Sequence, residues 1–175
     1  MAVSLPAIFL DKDGTLVENV PYNVDPAHVR LSQGAEEAVA AFAERGLPVI
    51  LISNQPGVAL GFFEEEDLKA LEQDLRSRVE LLGFYYCPHG PHAGCLCRKP
   101  NPGLLLRAAR DHGIDLSRSW MIGDILDDVE AGRRAGCRTV LIDNGNETEW
   151  KLSASRRPDC VAADLSAAAA LILAE

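Results

Sequence analysis

Ala7-Ile8-Phe9-Leu10, followed at once by Asp11-Lys12-Asp13-Gly14-Thr15-Leu16, decides how this chain is read. Four apolar residues in a row, without alternation, describe a strand covered on both faces, as in a parallel sheet between helix layers. Acids then stand at its carboxyl end, and Gly14 lets the chain turn sharply away. Residues 48–52, 120–122 and 139–142 repeat this character and are expected to be strands. Helical spacing recurs between them. Ala35, Ala38, Val39 and Phe42 fall on one face, with Gly46 placed to end the helix. Leu68, Leu71, Leu75, Val79 and Leu82 make a longer stripe behind the acidic Glu64-Glu65-Glu66-Asp67. Asn101-Pro102 reads as the cap and first residue of a helix ending at Gly113, residues 125–135 as another closed by Gly136, and Ser166 as the cap of a last one. Strands alternating with helices predict an α/β fold with a mainly parallel sheet.

The chain has 175 residues, 47% hydrophobic and 25% charged, which predicts a single domain over residues 1–175. A domain of that size buries roughly 70% of its unfolded surface and needs no disulfides to fold. No apolar run approaches the ~20 residues of a membrane span. Lys+Arg 17 against Asp+Glu 26 gives a net charge of -9, which argues against a nucleic-acid partner. An anionic small molecule stays admissible if cations gather locally. The N-terminus carries no charged leader, so the expected compartment is the cytoplasm, where the five cysteines are thiols or metal ligands.

Ligands of open parallel sheets bind beyond the carboxyl ends of the strands. After the first three strands stand Asp11, then Ser53-Asn54-Gln55, then Gly123-Asp124. Asp11 and Asp13 share a side of the chain and repel unless a proton or cation intervenes. Asp124 adds a third carboxylate, making an oxygen-rich set of the kind Mg²⁺ prefers. A lone Asp at such a junction is more often a turn former; three converging ones shift the balance. Cys87, His89, Cys95 and Cys97 form a C-x-H-x5-C-x-C pattern, four ligands that would close a structural Zn²⁺ tetrahedron. Unconnected thiols, or His92 in place of His89, are the competing readings.

The string Asp11-Lys12-Asp13-Gly14-Thr15 resembles the D-x-D-G-T signature of the haloacid dehalogenase-like phosphatases. Ser53, Lys99, and Gly123-Asp124 with Asp128 follow in that family's order, so the resemblance spans about residues 7 to 145. It implies a Rossmann-like three-layer fold and phosphate-ester hydrolysis through an aspartyl-phosphate. Asp11 would be the nucleophile and Asp13 the acid and base. Mg²⁺ would sit on the Asp11 and Asp124 carboxylates and the Asp13 backbone carbonyl. Ser53 and Lys99 would hold the transferring oxygens. Asp128 would orient Lys99 or a metal-bound water, a solvent-facing Asp128 being the alternative; Asp127 is expected at the surface.

The cysteine cluster, Ser53-Asn54-Gln55 and Cys97-Arg98-Lys99-Pro100 are similar to the zinc-loop branch with a minimal cap, which holds heptose-bisphosphate and histidinol-phosphate phosphatases. Within it the resemblance favours D-glycero-D-manno-heptose 1,7-bisphosphate, cleaved at the 7-phosphate on the way to lipopolysaccharide-core heptose; histidinol phosphate is the alternative. Asn19, Val20, Pro21 and Tyr22 would face substrate, and Asn54, Gln55 and Arg98 would bind it. A monomer is implied. Ile125 departs from the pattern, since many members place Lys or Arg there. An inactive phosphosugar-binding module is the reading from another class, and intact Asp11 and Asp13 argue against it.

Overall fold

The computed structural model describes residues 4–175. Strands β1 (Ile8–Leu10), β2 (Val49–Asn54), β3 (Gly83–Cys87), β4 (Trp120–Gly123), β5 (Arg138–Ile142) and β6 (Cys160–Ala162) form a sheet ordered β3-β2-β1-β4-β5-β6. Every neighbouring pair is parallel. The helices are α1 (Ala35–Glu44), the short α2 (Gly57–Leu60), α3 (Glu65–Arg78), α4 (Gly103–His112), α5 (Leu126–Ala135) and α6 (Leu165–Leu173).

Each short strand carries apolar residues to both faces, which explains the unbroken runs. Ile8, Leu10, Val49, Leu51, Ile122 and Val140 join Phe42, Leu68, Leu71 and Ile172 in one core, against α1, α3 and α6. Phe9, Ile50, Ile52 and Met121 face the other way, onto Leu105 and Ala108 of α4 and Ala131 of α5. The sheet order reverses beside β1, whose partners are β2 and β4. Loops leaving the carboxyl ends of these strands diverge there, opening the crevice in which doubly wound sheets hold ligands. Loops and the four-residue α2 are what flank it.

Several boundaries differ from expectation. The apolar stripe does not continue as a helix to Leu82: α3 ends at Arg78, and Val79 is extended (φ -140°, ψ 152°). Residues 83–87 form a sheet-edge strand instead, pairing with β2 from Ile50↔Gly83 to Asn54↔Cys87. Helix α6 is capped by Asp164, whose Oδ1 accepts the Ala167 N–H at 2.8 Å, and not by Ser166, which lies inside it. Asn101 does not cap α4; its side chain donates to the Cys95 carbonyl at 3.0 Å. Cys160 is half-buried in β6. Among the described residues no helix is long and apolar enough to cross a membrane.

Candidate active site

The residues after β1, β2 and β4 meet at the reversal point. Asp11, Asp124 and Asp128 are buried, with carboxylate oxygens within 4.8 Å of one another. Lys99 reaches into this group from the segment before α4. Its Nζ donates to Asp11 Oδ1 at 2.5 Å and to the Ile52 carbonyl at 2.8 Å, and stands 2.6 Å from Asp128 Oδ1. Burial alone would drive the proton off Lys99, but Asp11 and Asp128 outweigh it and hold the ammonium charged. The second Asp11 oxygen carries no hydrogen bond among the described residues, so it is free to react.

Three carboxylates and one ammonium leave two negative charges in a buried space. Burial, reinforced by Asp11 and Asp128, pushes the Asp124 carboxyl up to about 8; burial likewise pushes Asp128 up to about 7 against the pull of Lys99. Without a further cation, then, the cluster relieves itself by taking up protons. A divalent ion would cancel the excess. The Asp13 backbone carbonyl, two residues on from Asp11, accepts no hydrogen bond among the described residues and is left as an unpaired neutral oxygen. The donor set therefore fits Mg²⁺, with hard oxygens only.

Asp128 faces this interior and not solvent: it is fully buried, and Oδ2 accepts the Ile125 N–H at 3.3 Å. A Cβ on Gly123 would lie 2.2 Å from Asp128 Oδ2, so the close approach of α5 to β4 requires glycine there. Gly14, with φ +82°, plays the same part for Asp124, since a Cβ would fall 2.0 Å from Asp124 Oδ2. Asp127 is half-buried and ion-paired with Arg156 at 2.9 Å, where a surface position was expected.

Asp13 lies apart from the three-carboxylate cluster. Its Oδ1 contacts Lys12 Nζ at 2.5 Å, and its Oδ2 accepts from Gln55 Nε2 at 3.1 Å. Burial raises the Asp13 pKa, against the opposing pull of Lys12. Gln55 Nε2 also donates to Ser53 Oγ at 2.8 Å, which leaves the Ser53 hydroxyl hydrogen available to an incoming oxygen. Asn54, expected at the substrate, uses both ends of its amide on Lys99. Oδ1 accepts the Lys99 N–H at 2.9 Å and Nδ2 donates to the Lys99 carbonyl at 3.1 Å. Its geometry is that of a clamp on the Lys99 backbone.

Residues 143–159, between β5 and β6, supply groups the sequence reading missed. Asn146 Nδ2 donates to Asp124 Oδ2 at 2.6 Å, and Asn144 Nδ2 to the Gly14 carbonyl at 2.8 Å. Glu147 Oε2 accepts the Leu126 N–H at the start of α5 at 2.7 Å. Asn144 and Asn146 come directly after a strand, so extending the strand-end rule to β5 would have found them.

The second cluster lies past β3. Cys87 Sγ is 3.5 Å from Cys95 Sγ and 3.2 Å from Cys97 Sγ, while His89 Nδ1 is 3.5 Å from Cys87 Sγ and 3.3 Å from Cys97 Sγ. Ligands around tetrahedral zinc stand about 3.5–3.8 Å apart, given bonds of roughly 2.3 Å to sulfur and 2.0 Å to nitrogen. Burial, then contact with Cys97, pushes the Cys87 thiol up to about 12. Burial also acts upward on Cys95, but the Arg98 backbone N–H and neighbouring thiols bring it down to about 7. Three thiols and an imidazole gathered at or slightly inside these separations are a donor set that fits zinc. His92 is not among them. The loop is tied to the first cluster through Arg98, whose Nη1 donates to the His89 carbonyl at 3.4 Å, and through its chain neighbour Lys99.

Asn19, Val20, Pro21 and Tyr22 are exposed on the loop after β1. Tyr22, with φ 57°, packs edge-on against Phe62 with ring centroids 4.6 Å apart. Arg98 borders a cavity of about 320 Å³ beside the cysteine loop, shared with Pro91, Lys99, Asn101 and Asp127.

Residues 96–168 match the family model described as HAD-hyrolase-like. The D-glycero-beta-D-manno-heptose-1,7-bisphosphate 7-phosphatase of Photorhabdus laumondii is 39% identical over 158 residues, covering 83% of this chain and 84% of its own. The enzyme of that name from Escherichia coli K12 is 37% identical over 175 residues, covering 87% of this chain and 91% of its own. Among solved structures, the D,D-heptose 1,7-bisphosphate phosphatase of B. bronchiseptica, complexed with magnesium and phosphate, superposes with a TM-score of 0.86 at 32% identity, over 97% of this chain and 99% of that one.

Proposed function

Because the chain belongs to the haloacid dehalogenase-like phosphatases, among relatives that act on heptose bisphosphate, we propose that it removes the 7-phosphate from D-glycero-D-manno-heptose 1,7-bisphosphate. The observation that carries the chemistry is the meeting of Asp11, Asp124, Asp128 and Lys99 at the reversal point of the sheet. Asp11 attacks phosphorus with the oxygen that Lys99 does not hold. The bond to the leaving sugar oxygen breaks as the Asp11–phosphorus bond forms. Asp13 gives that oxygen its proton, then takes one from the water that releases phosphate from Asp11. Lys99 and the Ser53 hydroxyl hold the phosphoryl oxygens through transfer, where fixed donors in a dry site supply most of the stabilisation. Asp128 and Asn54 keep Lys99 in place.

Asp11, Asp124 and the Asp13 carbonyl would hold Mg²⁺, which when bound neutralises the charge of carboxylate and phosphate in contact. Cys87, His89, Cys95 and Cys97 would hold structural Zn²⁺. Asn19, Val20, Pro21, Tyr22, Gln55 and Arg98 would meet the sugar or its second phosphate, the planar Arg98 fork suiting either. The protein would act as a monomer in the cytoplasm, in the supply of activated heptose for lipopolysaccharide core. Mg²⁺-dependent phosphate release, compared between heptose bisphosphate and histidinol phosphate, tests the proposal. Preference for the heptose ester by at least about tenfold in kcat/KM, a 1.4 kcal/mol difference, is expected. Equal rates, or preference for histidinol phosphate, would overturn the substrate.

A further inference from the structure

Lys12 has no part in the chemistry above, yet only 1% of it is exposed. A lysine buried to that degree is rare unless paired. Its Nζ lies 2.5 Å from Asp13 Oδ1, while Gln55, itself 4% exposed, donates to Oδ2 at 3.1 Å. The two oxygens of Asp13 are thus held by groups from the segments that follow two different strands, β1 and β2. The main chain of Lys12 is fixed as well, because its carbonyl accepts the Val17 N–H at 2.9 Å. The Asp13 side chain nevertheless keeps 31% of its surface, leaving it reachable by a leaving group. A cation needed only for charge would be better solvated at the surface; burial beside one carboxyl restricts that carboxyl's rotation.

We propose that Lys12 is a positioning residue, which with Gln55 holds the Asp13 carboxyl in the orientation from which it protonates the leaving oxygen. The inference rests on Asp13 being the proton donor. In the step concerned, the phosphorus–oxygen bond to the leaving group breaks, Asp11 gains the phosphoryl group, and the proton moves from Asp13 to the departing oxygen.

Leaving-group dependence separates this role from a structural one. Dinitrophenolate departs without a proton, whereas phenolate departs better with one. Moreover, kcat/KM covers events only through phosphoryl transfer to Asp11, so the later base role of Asp13 does not enter. The kcat/KM values for phenyl phosphate and 2,4-dinitrophenyl phosphate are to be measured for the wild type, Lys12→Met, Lys12→Arg and Asp13→Asn. Lys12→Met is expected to lower the phenyl-to-dinitrophenyl ratio by about tenfold, within the 10²–10⁴-fold that a positioned proton donor contributes, with Lys12→Arg recovering most of it. Each ratio is taken within one protein, so a partly folded preparation cancels; Lys12→Gln serves if the methionine variant does not fold. If Asp13→Asn lowers the ratio and neither uncharged Lys12 variant does, the inference is overturned. If Asp13→Asn itself leaves the ratio unchanged, Asp13 is not the donor, and the assignment beneath the inference falls first.

Discussion

Lys99→Met removes the ammonium that lies between Asp11 and Asp128 and leaves a side chain of similar length. Lys99 is 2% exposed, Asp128 0% and Asp11 10%. Taking one partner from a buried ion pair leaves a charge uncompensated, at about 3–5 kcal/mol. A second route reaches the same size. Beyond the proton already held near Asp124, the variant's simplest relief is to keep one further carboxyl protonated at pH 7, well above its ordinary range, and at 1.36 kcal/mol per tenfold that costs about 4 kcal/mol. For a chain of this size each kcal/mol lowers Tm by about 2–4 °C, so a fall of roughly 6–20 °C follows. A carboxyl protonated in the folded state and ionised in the unfolded one binds its proton on folding, so the variant regains stability as pH falls. Urea unfolding of both proteins in magnesium-free buffer, with zinc retained, at pH 5 and pH 8 measures this. The gap is expected to be smaller at pH 5, and Asp128→Asn in the Lys99→Met background should recover a large part of the loss. A gap below about 1 kcal/mol, the size of an exposed pair, or one independent of pH, would refute the reasoning.

Three further outcomes are expected. Burial and neighbouring acids raise Asp124 and Asp128, so the metal-free protein loses stability as pH rises from about 4 towards 8; the rise in Tm given by saturating Mg²⁺ should therefore grow from pH 5 to pH 8, and a constant rise would contradict it. Chelation of the Cys87, His89, Cys95 and Cys97 site should lower turnover by loosening Arg98 and Lys99, with zinc restoring it; full activity in zinc-free, Mg²⁺-loaded protein would break that coupling. Asn54→Ala removes two hydrogen bonds to the Lys99 backbone and should lower kcat by about 30–150-fold, at about 1–1.5 kcal/mol each; a change confined to KM in steady-state kinetics would return Asn54 to the substrate.

The central strands were legible because Phe9 and Ile8, one residue apart, each need a buried partner on opposite faces, and only a doubly covered sheet supplies both. The acids at strand ends were legible for the same reason, since polar residues begin where cover stops. Strand β3 was hidden because Leu82-Gly83-Phe84 continues the apolar stripe of α3, and spacing alone does not reveal that Val79 turns extended. Three-residue β6 is too short to carry a period. Asp164 and Ser166 are both good caps two residues apart, and only the backbone distinguishes them. Within the site, residue types pointed to charge and coordination but not to which group faces which. Asn54 was placed at the substrate by the resemblance of Ser53-Asn54-Gln55 to the zinc-loop branch, yet a reciprocal bond to the Lys99 backbone satisfies both of its ends. Lys12 drew no role from the sequence, and its burial against Asp13 follows only from the fold.

Rapid acid quench during turnover of substrate labelled in the scissile phosphate, followed by peptide mapping, asks directly whether Asp11 carries the phosphoryl group. A transient, hydroxylamine-sensitive label on the peptide containing Asp11, formed and lost fast enough to account for kcat and missing from Asp11→Asn, is the predicted result. Turnover that proceeds with no such label, or with the label on another side chain, would contradict the account.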